Sequence, residues 1–423
     1  MSEEKKTVNV FLAAVHVKNT PLEDTQESMK ELEALCVTLG FNIVGKEIQS
    51  RPSPESKTFL GKGKLEEIKA FMEEFEADTL VMDTELSPKQ GINIELALDA
   101  MVLDRSQVIL EIFSDHARTP ESKTQVELAR LYYMLPRLMG MWSHLDREKG
   151  GISASRGTGE KQISIDRNIV RKRMSRLQKD LERIEKQRQN QTKQRDNVFS
   201  VSLVGYTNAG KTTLLKSMTG KGDGGKDVLF ATLESTTRKL TGLTKPDILL
   251  SDTVGFIQKL PHHLIASFRS TLAVVHEADL LLHVVDASSI KIFLEIETTL
   301  DALKEIGADK VPRILILNKS DLIANDVELI ILKKTFPNAL FATNLNNKSV
   351  EALKEAIQEH FSKTFVTEKI TLTYDMGGIL SKLYPFCIVD KIDYVEEGMV
   401  VEYTATIPND KTIKKMIQDM ENK

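Results

Sequence analysis

The stretch "FSVSLVGYTNAGKTTLL", Phe199 to Leu215, passes from an apolar strand pattern through a glycine-bounded loop into a helical pattern. Inside it, Gly205 to Thr212 fits G-x-x-x-x-G-K-[ST], and the strand-loop-helix setting is what gives that fit its weight. The residue types follow from the chemistry. Gly205 and Gly210 let the backbone approach phosphate oxygens, and the N–H groups of Tyr206, Thr207, Asn208 and Ala209 face the charge together with a helix N-terminus. Lys211 bridges the outer phosphates, and Thr212, with Thr213 beside it in the first helical turn, offers a hydroxyl to Mg²⁺. A glycine turn that merely joins strand to helix would need none of the lysine-threonine ending.

Working outward, strands and helices alternate from Asn197 to about Lys363, and the strands are almost continuously apolar. Such strands belong to a parallel sheet covered on both faces, hence a doubly wound fold. "DTVG" closes one of them: Asp252 is placed to hold Mg²⁺ through water, and Gly255, after Thr253 and Val254, to sense a γ-phosphate. "NKSD", Asn318 to Asp321, follows the strand "RILIL". Its Asp321 accepts two hydrogen bonds from guanine N1 and N2, Lys319 covers the base, Asn318 anchors neighbouring loops, and Ser320 sits between them. Adenine lacks that donor pair and would leave a carboxylate unpaired, so the motif predicts GTP over ATP. "ATN", ending in Thr343 and Asn344, lies where a loop would close over the base.

Between the first two motifs, "KDVLFATLESTTRKL" must supply a threonine to Mg²⁺ and the γ-phosphate. Thr232, Thr236, Thr237 and Thr241 compete, and position does not rank them. After "DTVG" comes Phe256, whose ring has neither donor nor acceptor for an attacking water. Slow hydrolysis by the isolated protein is expected, with a partner, another residue or a rearranged switch orienting the water.

Upstream, residues 7 to about 115 alternate between the two structural periods and read as a small α/β domain, with "SQVILEIF" taken as its last strand. The loop around Gly61 to Lys64, "GKGK", opens a helix but fits no nucleotide fingerprint; an ordinary or RNA-facing loop is expected. From Glu121 to Leu145 an apolar helix is expected, kinked or ended at Pro136. A second helix from about Ile163 to Asp196 carries Val170, Met174, Leu177, Leu181 and Ile184 at coiled-coil steps. Its basic residues outnumber its acidic ones by eleven to five. Two such helices make an arm of roughly 50 Å. At its tip, "GGISASRGTGEKQ", Gly150 to Gln162, reads as an RNA-probing loop: Gly157 and Gly159 allow close approach, and Arg156 and Lys161 meet phosphates or stack on bases. Arg167, Arg171 and Arg173 extend that basic surface along the helix. Residues 365–423 read as a small α+β appendage.

The division expected is therefore 1–115, 116–196, 197–364 and 365–423. The composition, 41% hydrophobic and 28% charged over 423 residues, is that of a globular protein. A net charge of -4 gives no global sign of nucleic-acid binding, so basic surface must be local, and DNA is not expected as a partner. Cys36 and Cys387, the two cysteines, make no disulfide framework. No apolar run reaches the roughly 20 residues that cross a bilayer. A soluble cytoplasmic monomer is the expectation, with peripheral membrane contact left open.

With these residues assembled, the chain resembles the HflX family of translation-factor-related GTPases. "RPSPESKTFLGKGKLEEI", "ELSPKQ", "LDRSQVILEIFSDHARTPESKTQVELARLYYMLPRL" and "GGISASRGTGEKQISIDR" all look like that family's N-terminal and linker regions. The resemblance implies a GTPase that binds the large ribosomal subunit and helps separate stalled or inactive ribosomes. It also implies that the N-terminal domain and arm contact rRNA near the peptidyl-transferase centre, and that hydrolysis rises on the ribosome. The family's switch motif is similar to "FATLE", Phe230, Ala231, Thr232, Leu233 and Glu234, which selects Thr232 as the second Mg²⁺ ligand beside Thr212. Lys211, Thr232 and Gly255 then carry the catalytic roles. The chain departs from the family's pattern at Ile163-Ser164 and Asn168 in the arm, and at Thr343-Asn344. Two other classes remain as alternatives: an ATP-dependent RNA remodelling enzyme using "GKGK", and a signalling GTPase whose protein partner docks on the arm.

Overall fold

The computed structural model describes residues 8–148, 156–192, 198–220, 229–259 without 231 and 241–246, 261–343 without 262, 263, 265, 266 and 324, 347–363 and 365–421. Two compact units emerge: one comprises residues 1–185 with 226–234 and 254–273, the other 186–225, 235–253 and 274–423.

In the first unit, β1 (Asn9–Val17), α1 (Leu22–Thr38), β2 (Asn42–Arg51), α2 (Lys62–Glu74), β3 (Thr79–Met82), α3 (Pro88–Leu98), β4 (Met101–Asp104) and α4 (Arg105–His116) follow one another. The strands form a parallel sheet in the order β2-β1-β3-β4. Strand alternation sends Phe11, Ala13, Leu80 and Met82 to one face, where Leu65, Ile68 and Met72 of α2 and Ile94 and Leu98 of α3 cover them. Val10, Leu12 and Val81, the alternate set, are fully buried too. The stretch expected as a last strand, "SQVILEIF", is instead the helix α4. A capping box decides it: Asp104 accepts from the backbone N–H of Gln107, whose side-chain oxygen accepts from the backbone of Asp104. Val108, Ile109, Ile112 and Phe113 then fall on one buried helical face.

α5 (Pro120–Glu148) and α6 (Arg156–Thr192) form the arm. Leu128, Leu131, Tyr132 and Leu135 of α5 meet Val170, Met174, Leu177 and Leu181 of α6, while Ile184 is half-buried outside that cluster. α5 runs through Pro136 rather than ending there. One lost hydrogen-bond rung costs about 3 kcal/mol, and the apolar seam on the preceding turns offsets it. α6 begins at Arg156, earlier than Ile163, so Gly157, Gly159 and Lys161 have helical backbone. Residues 150–155 of the expected tip lie outside the described residues.

The second unit is built on β5 (Val198–Val204), α7 (Lys211–Thr219), β6 (Thr236–Lys239), β7 (Asp247–Asp252), β8 (Leu280–Asp286), β9 (Arg313–Asn318) and β10 (Leu340–Phe341). Among the described residues its sheet runs β10-β9-β8-β5-β7-β6, with every pairing parallel except β6 with β7. Helices cover both faces. Leu203, Leu250, Leu282 and Val284 pack with Leu214, Met218, Leu353 and Ile357, and Val285 and Leu317 pack with Ile292 and Leu332. The chain continues into an antiparallel sheet, β11 (Phe365–Leu372), β12 (Ile388–Val395) and β13 (Gly398–Thr406), in the order β11-β13-β12. A terminal helix, Ile407–Glu421, closes its core through Ile413 and Ile417. Among the described residues no helix is long and apolar enough to cross a membrane.

Candidate nucleotide-binding site

The phosphate loop leaves β5 at Gly205, whose φ of 148° is a conformation that L side chains rarely adopt. A Cβ there would lie 2.0 Å from the carbonyl oxygen of Val284 on β8, so the loop begins wedged against the neighbouring strand. Asn208 (φ 60°) and Gly210 (φ 92°) turn the backbone left-handed twice more before α7 starts at Lys211. Lys211 is 6% exposed, and its Nζ donates to the carbonyl oxygens of Gly205 (3.0 Å) and Tyr206 (2.7 Å). Burial pushes its amine down to about 8, with the Asp252 carboxylate pulling the other way. Tyr206, Thr207 and Ala209 are buried in the loop, and Thr213 is half-buried in the first turn of α7. The Thr207 hydroxyl is a buried group with no hydrogen-bond partner among the described residues.

Thr212 Oγ1 donates to Asp252 Oδ2 at 2.6 Å, bringing the start of α7 to the end of β7. The other carboxylate oxygen accepts the Thr253 backbone N–H, and Thr253 Oγ1 ties back to Leu203 O at 2.6 Å. A hydroxyl and a carboxylate are hard oxygen donors of the kind Mg²⁺ takes when phosphate oxygens and water complete its shell. The described residues hold no group of three His, Cys, Asp or Glu that would bind a metal unaided. The Thr212 hydroxyl and the Asp252 carboxylate are the oxygen donors that the described site brings together.

The loop expected to read guanine, Asn318 to Asp321, leaves β9. Asn318 is fully buried and its Nδ2 donates to Ala209 O at 2.8 Å, fastening this loop to the phosphate loop. Lys319 turns left-handed (φ 55°) and pairs with Asp286 at 2.7 Å. The backbone and hydroxyl of Ser320 both donate to Ala342 O. Asp321 is exposed in a short turn, Ser320–Leu322, and Thr343 is half-buried beyond Ala342. Asn344 and Ala231 lie outside the described residues.

The stretches expected to act as switches, in residues 226–234 and 254–273, belong to the first unit. Phe230 and Phe268 each meet Phe113 of α4 edge-on, at 4.8 Å between centroids. Leu233, Val254, Phe256 and Ile257 are buried and Thr232 half-buried. Lys259 Nζ donates to Ser28 Oγ, Asp83 Oδ2 and Asp83 O. Asp83 is also paired with the buried Arg105, which bonds Glu31 as well. Glu234 Oε1 accepts from the backbone of Arg118 (2.9 Å) and Thr119 (2.7 Å) and from Ser122 Oγ (2.7 Å). Burial alone would raise the Glu234 carboxyl; the bonds from Thr119, Ser122 and Arg118 outweigh it and hold the group below its usual value. Phe113 and Ser122 lie in a stretch that resembles the family, but nothing in the sequence assigned them, or Asp83, to this anchoring.

On the arm, Arg171, Lys172, Arg176, Lys179 and Arg183 are exposed on α6. Arg173 is engaged in a two-pronged pair with Glu127 of α5, and Arg167 is half-buried.

A mostly parallel sheet, a glycine-turned phosphate loop with a buried lysine and an Asn-Lys-x-Asp loop fastened to it define a P-loop GTPase. Residues 26–114 match the family described as GTP-binding GTPase N-terminal, 116–195 the GTP-binding GTPase middle region, and 200–319 the 50S ribosome-binding GTPase. The chain is 40% identical over 394 residues to GTPase HflX of Flavobacterium psychrophilum, covering 86% of this chain and 94% of that one. It is 38% identical over 390 residues to GTPase HflX of Escherichia coli, with 91% of each covered. A crystal structure of a Sulfolobus solfataricus GTP-binding protein in complex with GDP aligns with TM-score 0.43 at 27% identity, over 84% of this chain and 99% of that chain. This chain belongs to the HflX family of GTPases: it binds guanine nucleotides and hydrolyses GTP.

Proposed function

We propose that this GTPase associates with the large ribosomal subunit through rRNA and helps dissociate or rescue stalled or inactive ribosomes, with hydrolysis as the release switch. The observation that carries the reading is the arm: a long helix pair, sealed by an apolar seam, that exposes a row of arginines and lysines in a chain of net charge -4. Phosphate contacts are the natural use of such a row, and the match of residues 200–319 to a 50S ribosome-binding GTPase family supports rRNA as their source. The fourfold division at residues 115, 196 and 364, a monomer and a cytoplasmic setting belong to the same reading.

At the site, Lys211 and the loop N–H groups hold the outer phosphates, Asp321 holds the base with Lys319 covering it, and Asn318 anchors the two loops to each other. Thr212, Asp252 and Thr232 would hold Mg²⁺, which supplies charge neutralisation at the phosphates. Gly255 reports the γ-phosphate through its backbone. Phe256 is buried and offers no group to water, which agrees with slow turnover until a partner completes the site.

GTP turnover measured with and without purified large subunits tests the proposal. Stimulation of tenfold or more is expected, together with subunit binding that weakens as salt rises. Absence of stimulation, or binding indifferent to salt, would overturn it.

A further inference from the structure

We infer that Asp104, Tyr133 and Arg137 are positioning residues that form a splint across the proline turn of α5 and so fix the direction in which the outer half of the arm leaves the N-terminal sheet. The inference deepens the proposal that the arm meets rRNA and rests on it for its consequence in binding. All three residues belong to the first unit. Asp104 ends β4 and is 1% exposed. Its Oδ1 caps α4 by accepting the Gln107 N–H, which leaves Oδ2 for other donors. Three converge on that one oxygen: the Leu86 N–H from the loop before α3 (3.1 Å), the Tyr133 hydroxyl (2.9 Å) and Arg137 Nη2 (2.8 Å). A helix cap needs the first oxygen alone. The second ties α5 to the end of the sheet.

Tyr133 and Arg137 stand about one helical turn apart, and Pro136 lies between them. Proline has no N–H to give the carbonyl of Tyr132, and its ring crowds that oxygen, so a helix bends most readily there. The two side chains bridge this turn. Arg137 Nη1 donates to the Tyr133 carbonyl oxygen at 3.2 Å, and the guanidinium carbon lies 3.4 Å from the centre of the Tyr133 ring. Nη2 also reaches the Leu86 carbonyl oxygen at 2.6 Å. A charge as deeply buried as Asp104 is costly unless paired and hydrogen-bonded, so the donors that meet Oδ2 both hold it and are held by it. The turn most prone to bend is thereby fixed to β4, and the outer half of α5 takes its direction from there. An arm held in one direction presents its cations already in register, whereas an arm free to swing loses affinity to the ordering that binding demands.

The test uses the full-length protein with spin labels at Gln26→Cys on α1 and Ser143→Cys on α5 beyond the proline; both native cysteines are buried. Pulsed dipolar spectroscopy should give a single narrow distance for the parent, a broad distribution for Arg137→Met, and an intermediate width for Tyr133→Phe, which removes only a hydroxyl. Without labels, affinity for purified large subunits should fall about tenfold in Arg137→Met and about threefold in Tyr133→Phe, with GDP affinity unchanged. The slope of log affinity against log salt should stay that of the parent, since no phosphate contact is lost, whereas Arg176→Glu should lower it. Pro136→Ala restores the missing rung, so adding it to Arg137→Met should narrow the distribution and recover the affinity. Unchanged distributions in both single variants, or no recovery with Pro136→Ala, would overturn the splint. A lowered salt slope in Arg137→Met would make that arginine a phosphate contact and overturn its positioning role. If the distances behave as expected and the parent itself does not bind large subunits, the ribosome reading fails and the splint stands.

Discussion

Two glycine-lysine loops open helices in this protein, one at Gly61–Lys64 before α2 and one at Gly205–Thr212 before α7, and their backbones explain why one is the phosphate cradle. Gly61 is extended (φ -70°), and its N–H is already taken by Gln49 Oε1 at 2.8 Å. Lys62 points into solvent, 93% exposed, and Lys64 lies between Glu47 and Glu67. In the second loop, three left-handed residues wrap the chain, and the lysine is buried with its ammonium bonded to the carbonyl oxygens of Gly205 and Tyr206. A glycine and a lysine do not make a phosphate site. Left-handed turns that wrap the chain do, together with a cation buried against the loop's own carbonyl oxygens.

The contrast can be broken most sharply at the lysines. Lys211→Ala should weaken GTP binding about a hundredfold or more, since it removes a charge-assisted contact worth roughly 3 kcal/mol. Lys64→Ala should leave nucleotide affinity within about twofold; titration with a fluorescent guanine nucleotide reads both, and a large loss in Lys64→Ala would put a nucleotide on the first loop. The glycines come next. Gly205→Ala drives a Cβ to 2.0 Å from a strand carbonyl at φ 148° and should cost about 2–5 kcal/mol, read by denaturant unfolding. Gly63→Ala, with nothing within 4 Å of the new Cβ, should change stability least and raise it by about 0.5 kcal/mol. A loss there would mean that α2 begins in a shape glycine alone permits.

The cradle was legible in the sequence because its determinants are local. Gly205, Gly210, Lys211 and Thr212 sit within eight residues, and the strand and helix beside them carry clear periods. "SQVILEIF" was not legible in the same way. Its short apolar run suits a strand as well as a helix, and the arbiter is a side chain before it, Asp104, whose bond to Gln107 starts the helical turn. At Pro136 the helix does not end, because a rule about one rung is outweighed by side chains that arrive from α6. The anchoring of the switch segments was least legible. Phe113 and Phe230 are far apart in sequence, as are Ser28 and Lys259, and no motif spans such gaps. Glu234 belongs to a stretch that resembles a nucleotide motif, and nothing in that stretch says that its carboxylate accepts from Arg118 and Thr119 at the start of α5.

The bond from Asn318 to Ala209 acts as a ruler. It sets the span between the place that reads the base and the place that grips the phosphates before any nucleotide arrives. A molecule with the right base but no phosphates, such as guanosine, can engage one of the two joined loops and not the other. The ordering entropy of joining the two loops has already been met in folding, so none of it is charged against binding.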